Sequence, residues 1–123
     1  MTASDFRRLA LRLPGAEQQA HMGHPDFRVD GRIFATLNYP AAGWGMIKLT
    51  PAHQELFVQA EPTAFVPVKG AWGRQGCTNV KLRAAKTRIV REALQLAWQA
   101  ATSRPATRGK KSRPSRTRPD GAA

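Results

Sequence analysis

Residues 103–123 read SRPATRGKKSRPSRTRPDGAA, a run without Leu, Ile, Val, Phe, Trp, Tyr or Met. It carries seven basic side chains and one acidic one. Pro105, Pro114 and Pro119 block a continuous helix, since proline lacks the amide proton and clashes with the preceding turn. Such a segment cannot bury enough surface to offset the entropy of ordering it. It is expected to be a disordered cationic tail beginning near Ala101–Ser103. Residues 1–102 are then the foldable part, enough for one domain with one modest core.

The rest of the chain is charged in the same sense. Residues 1–102 hold 13 basic and 7 acidic side chains, a net of +6, and the whole chain carries +12. The apolar fraction of 41% is that of a folded protein. No stretch approaches the roughly 18 apolar residues of a membrane span, so no membrane partner is expected. Met1–Phe6 has neither the basic patch nor the apolar run of a signal peptide, which makes a cytoplasmic location the default. The single cysteine, Cys77, rules out an internal disulfide framework and a cysteine-rich zinc module. The excess of positive charge points to polyanionic partners.

Local patterns give the element order. Residues 4–13 read as a helix with Ser4 as N-cap and Phe6, Leu9, Ala10 and Leu13 on one face, closed by Pro14-Gly15. A short polar strand is expected over 16–22, a hairpin over 26–38 around Asp30-Gly31, and a strand over 44–49. Thr50-Pro51 supplies an N-cap and an N1 proline for a helix to Ala60. After a Pro/Gly-rich stretch come a strand over 77–82 and a last helix from about Ala84 to Ala101, with Ile89, Val90, Ala93, Leu94, Ala97 and Trp98 as its apolar stripe. The expected fold is a two-layer α+β domain, an antiparallel sheet with three helices on one face.

Hairpin parity fixes where side chains point. A two-residue turn at Asp30-Gly31 leaves neither face of the hairpin cleanly apolar. A three-residue loop, Val29-Asp30-Gly31, collects Phe27, Ile33, Ala35 and Leu37 on one face and sends Arg28, Arg32, Phe34 and Thr36 to the other. On that reading Arg28 and Arg32 stand side by side facing water. Lys48, Lys81 and Arg83 join them on the face away from the helices, with Phe34, Trp44 and Met46 interleaved. Cations attract phosphate, and flat apolar groups stack on bases.

HPDFRV (24–29), Gly31, FATL (34–37), KLTP (48–51), PTAFVPV (62–68), GAWGRQG (70–76) and VKL (80–82) occur in an order and spacing that resembles the MmcQ/YjbR family of small bacterial proteins. The resemblance spans residues 3–101 and includes the recurring Asp26, Phe27, Arg28, Trp72 and Gly73. It implies an antiparallel α+β domain similar to secretion-chaperone-like and frataxin-like folds. It also implies DNA binding, with hairpins as paired wings. It supplies no catalytic residue, and the basic tail is no part of its pattern.

The remaining motifs have simple readings beside the functional ones. His21 and His24 would face opposite sides of a single strand, and Gly23 and Pro25 disfavour a helix that would bring them together; a turn in which His24 and Asp26 bond to backbone accounts for the motif without a metal. Cys77 has no neighbouring base or orienting group in sequence, so a half-buried strand cysteine is expected rather than a nucleophile. Gly70–Gly76 is followed by a strand, not the helix a phosphate loop requires. It reads as a tight loop whose Trp72 covers the core edge, or as an exposed loop whose Trp72 and Arg74 touch a ligand. No carboxylate pair is poised for acid–base work, so no enzyme activity and no cofactor are expected. The expected function is binding of nucleic acid, chiefly duplex DNA, through Arg28, Arg32, Lys48, Arg74, Lys81 and Arg83. In the tail, Arg104, Arg108, Lys110, Lys111, Arg113, Arg116 and Arg118 would add affinity without sequence readout. The alternative is an adaptor for a protein or peptide, using the open sheet face or a strand edge.

Overall fold

A computed structural model describes residues 1–103 except Met22 and Pro40. Helix α1 (Ala3–Leu11) leads into four successive strands, β1 (Glu17–His21), β2 (His24–Val29), β3 (Arg32–Leu37) and β4 (Trp44–Lys48). Then come α2 (Pro51–Ala60), β5 (Phe65–Pro67), a short α3 (Ala71–Arg74), β6 (Cys77–Lys81) and α4 (Thr87–Ser103). The strands form one antiparallel sheet in the order β1-β2-β3-β4-β6-β5. This is the α+β architecture expected. The tail cations from Arg104 to Arg118 lie outside the described residues.

Caps set the helix ends. Thr2, not Ser4, caps α1: its hydroxyl accepts from the Asp5 amide while the Asp5 carboxylate accepts from the Thr2 amide, a reciprocal box satisfying two orphan donors. Thr50 and Pro51 open α2 as expected, the Thr50 hydroxyl accepting from the His53 amide. The last helix starts later than Ala84, because Leu82–Ala84 form a 3₁₀ turn that buries Leu82. The Pro/Gly-rich stretch also holds two elements that periodicity alone does not reveal, the three-residue β5 and the four-residue α3.

One core lies between sheet and helices. Phe6 and Ala10 of α1 and Val90, Ala93, Leu94 and Ala97 of α4 pack on Phe27, Phe34, Ala35, Leu37, Ile47, Phe65 and Val80 of the sheet. Helix α2 adds Phe57, whose ring lies 5.3 Å from that of Phe65. Burying these side chains contributes roughly 1.5–3 kcal/mol each for the larger ones.

The hairpin resolves its parity conflict differently from the expected three-residue loop. Asp30 and Gly31 both take positive φ, 53° and 77°, and form a two-residue turn that pairs Val29 with Arg32. The register then shifts: Arg28 faces Ile33, but Phe27 faces Ala35, leaving Phe34 as the extra residue of a β-bulge. Beyond the bulge Ala35 and Leu37 share the core face with Phe27. Phe34 itself is buried, 1% exposed, where the three-residue loop would have turned it to solvent. A bulge restores the apolar face at the cost of one unpaired residue.

Candidate nucleic-acid interface

The two-residue turn separates the two hairpin arginines. Arg32 pairs with Val29 and so lies on the helix side, where its guanidinium donates to the Ala101 carbonyl at 2.9 Å, near the C-terminus of α4. A cation there suits the negative end of the helix dipole. Arg28 lies on the opposite face. The side-by-side arrangement of Arg28 and Arg32 is therefore corrected, and with it the outward position of Phe34.

Arg28 is also not a free cation. Its Nε and Nη2 donate to the two oxygens of Asp26 at 2.8 and 3.1 Å, a forked pair. Asp26 is fully buried, 0% exposed. Its carboxylate raises the Arg28 pKa above the ordinary value through the hydrogen bond, against partial desolvation. The Asp26-Phe27-Arg28 triplet thus has a structural role: Phe27 fills the core while its neighbours form an ion pair on the other face.

Directly opposed strand residues share a face. The register therefore places Asp26, Arg28, Ile33 and Thr36 on the side turned away from α1 and α4, together with Trp44, Met46, Lys48, Cys77, Asn79 and Lys81. Glu17 lies opposite Arg28, so the acids of this face sit at its β1–β2 side. Strands β3 to β6 contain no acidic residue. Lys48 and Lys81 are exposed at opposite ends of this half, about 13 Å apart along the strands, flanking the half-buried Trp44 and Met46. Arg83 is exposed in the 3₁₀ turn just past Lys81 rather than on a strand. Near the other edge the rings of His24 and Tyr39 meet edge to face at 5.2 Å.

Arg74 is exposed on α3, beside a Trp72 that is 64% exposed. Trp72 does not cover the core edge. The glycines do build a tight turn: a Cβ on Gly73 would fall 1.6 Å from the Val68 carbonyl oxygen, and Gly76 has φ 113°. Gln54 of α2 clamps the turn, its Nε2 donating to the carbonyls of Gly73 at 2.9 Å and Cys77 at 3.0 Å. Cys77 is buried opposite Lys48; burial pushes its thiol pKa up and Lys48 opposes the shift. His21 and His24 belong to separate strands and are backbone partners across the β1–β2 hairpin, so the single-strand premise does not hold. Among the described residues, no three His, Cys, Asp or Glu side chains gather as a metal site would require. No helix of the described residues is long and apolar enough to cross a membrane.

Sequence reasoning passed over two sets of cations. Lys69 is exposed just before the Trp72 turn. Arg7, Arg8 and Arg12, with Ser4 and Leu11, line a shallow depression on the outer face of α1. The signal for the second was present, since these residues recur with helical spacing opposite Phe6 and Ala10. Arg8 is partly neutralised by Asp5 at 2.6 Å.

A family model for YjbR matches residues 11–100. The chain belongs to the YjbR family. The match covers every strand, α2, α3 and most of α4, and it includes the Asp26–Arg28 pair and the Trp72 turn. Among solved structures, Deinococcus radiodurans protein DR2400, described by the domain of unknown function DUF419, superimposes with a TM-score of 0.71. The two are 19% identical, and the match covers 88% of this chain and 83% of that one. It establishes the YjbR-like fold. No curated protein sequence matches.

Proposed function

We propose that this YjbR-family protein binds nucleic acid, chiefly the duplex DNA backbone. The contacts would come from the β4–β6 half of the sheet face and from the cationic tail. The observation that carries this reading is the charge distribution on that half. Lys48 and Lys81 are exposed, flank Trp44 and Met46, and have no acidic residue on β3 to β6 to neutralise them. Arg83 and Arg74 extend the positive surface beyond the two ends of β6. Such a surface contacts phosphates without reading bases. Arg28 contributes less than its position suggests, because Asp26 already balances its charge, and Arg32 faces the helices.

The test is fluorescence anisotropy with a labelled duplex of about 20 base pairs. Replacing Lys48, Lys81 and Arg83 by alanine should weaken binding several-fold for every sequence alike. It should leave the melting temperature nearly unchanged, since exposed substitutions cost under about 0.5 kcal/mol. Unaltered affinity would remove the sheet face from the interface.

A protein-binding adaptor is the second reading. Leu56, Val66 and Trp72 favour it, as large apolar side chains exposed on α2, β5 and α3. A partner retained at high salt, with no duplex binding at low salt, would put this reading first.

A further inference from the structure

Exposed tryptophans are costly to hold in water, and this one sits on a firmly held backbone turn. The turn carrying Trp72 is fixed on three sides. Gly73 touches the Val68 backbone too closely for any side chain, and Gln54 bonds the Gly73 and Cys77 carbonyls. On the third side, the Leu49 amide donates to the Gly76 carbonyl at 3.2 Å. The indole nevertheless projects into solvent, 64% exposed, with exposed Lys69 and Arg74 nearby in the chain. An exposed indole on a fixed backbone, with cations close in the chain, suits a flat, electron-rich group attached to an anion, because only the two side-chain torsions remain to be ordered on contact. A nucleobase with its phosphate has that form. The hydrogen bond from Leu49 also joins this turn to the end of β4 that carries Lys48. A strand tracking Lys81 and Lys48 would thus be led toward Trp72.

We propose that Trp72 is a stacking platform for an unpaired base, with Lys69 and Arg74 holding the adjoining phosphates. The protein then engages single-stranded segments as well as duplex backbone. This rests on the nucleic-acid reading above and extends its surface through Arg74 to the Trp72 turn, with discrimination of unpaired bases as a separate readout. Stacking is tolerant of base identity, since every base has a π face, so the site selects unpaired over paired bases rather than one sequence over another.

The experiment compares three probes with the full chain: a 12-nucleotide oligo-dT, an abasic oligomer of the same length, and a duplex. The wild type should bind oligo-dT about tenfold more tightly than the abasic strand, within the range that alanine substitution gives for base–aromatic stacking. Trp72→Ala and Trp72→Leu should abolish that preference and leave duplex binding unchanged. Trp72→Phe should keep most of it. Oligo-dT should quench the indole emission of the wild type, and the quench should be smaller in Trp72→Phe, which keeps only Trp44 and Trp98. Leucine keeps the apolar bulk without the π face, so the pair of variants separates stacking from packing. The proposal is overturned if the wild type binds abasic and oligo-dT strands equally, or if Trp72→Leu retains the preference. Failure of the duplex to bind while oligo-dT still prefers Trp72 would overturn the sheet-face reading alone.

Discussion

Phe34 shows how much one residue decides. Its burial goes with the two-residue turn, which also sets Arg28 and Arg32 on opposite faces, and as the bulged residue it lets Ala35 and Leu37 rejoin the core face. Phe34→Ala should therefore cost about 3–5 kcal/mol, the usual range for truncating a core phenylalanine, measured by urea denaturation. A change under about 1 kcal/mol would return Phe34 to the surface and restore the three-residue loop. Cys77 offers a second check. Its thiol is buried and its folded pKa is raised, so the neutral form is favoured in the folded protein. The stability this contributes is present in full below the unfolded thiol pKa of about 8.5, and is lost as pH rises through the folded value. At pH 7.5 a thiol reagent should label the folded chain far more slowly than the urea-unfolded chain. Equal rates would mean that Cys77 is accessible.

At the scale of elements, the long patterns were legible and the short ones were not. Every strand and helix with its own periodicity or cap signal lies where the sequence puts it to within a few residues, including the Thr50-Pro51 start of α2 and the location, though not the loop length, of the hairpin at Asp30-Gly31. The sequence also exposed the hairpin's parity conflict. What it lacked was a way to choose between a longer loop and a bulge, since both restore an apolar face and only packing against α1 and α4 separates them. Lys48 and Lys81 were placed correctly on the second face because β4 and β6 alternate without interruption. Asp26 escaped as the partner of Arg28 because strand parity tells which residues share a face, not which of them bond. β5 and α3 are too short to show a period; tertiary contacts create them. Gly73→Ala tests that dependence. Its Cβ cannot coexist with the Val68 carbonyl, so the turn must open, at a cost of roughly 2 kcal/mol or more read as a lowered denaturation midpoint. A neutral substitution would show that the α3 turn is loosely held.

Across the whole molecule, charge is distributed in a way that the fold only partly explains. The domain binds part of its own positive charge in pairs, Arg8 with Asp5 and Arg28 with Asp26, and sets Arg32 at the end of α4. What remains includes a half-sheet with Lys48 and Lys81, a Trp72 turn with Lys69 and Arg74, and seven basic residues beyond Ser103. On the proposed reading, the domain would supply a shaped surface and the segment after Ser103 electrostatic affinity. Counterion release makes the division measurable, because each phosphate contact contributes about 0.9 to the slope of log K against log salt. The most direct measurement is that slope for a labelled duplex, taken by anisotropy with the full chain and with residues 1–103. The account predicts salt-sensitive binding by both, a slope smaller in magnitude by up to about 6 for the shorter chain, and one melting temperature shared by the two. A salt-independent affinity, or a slope unchanged by removing residues 104–123, would contradict it.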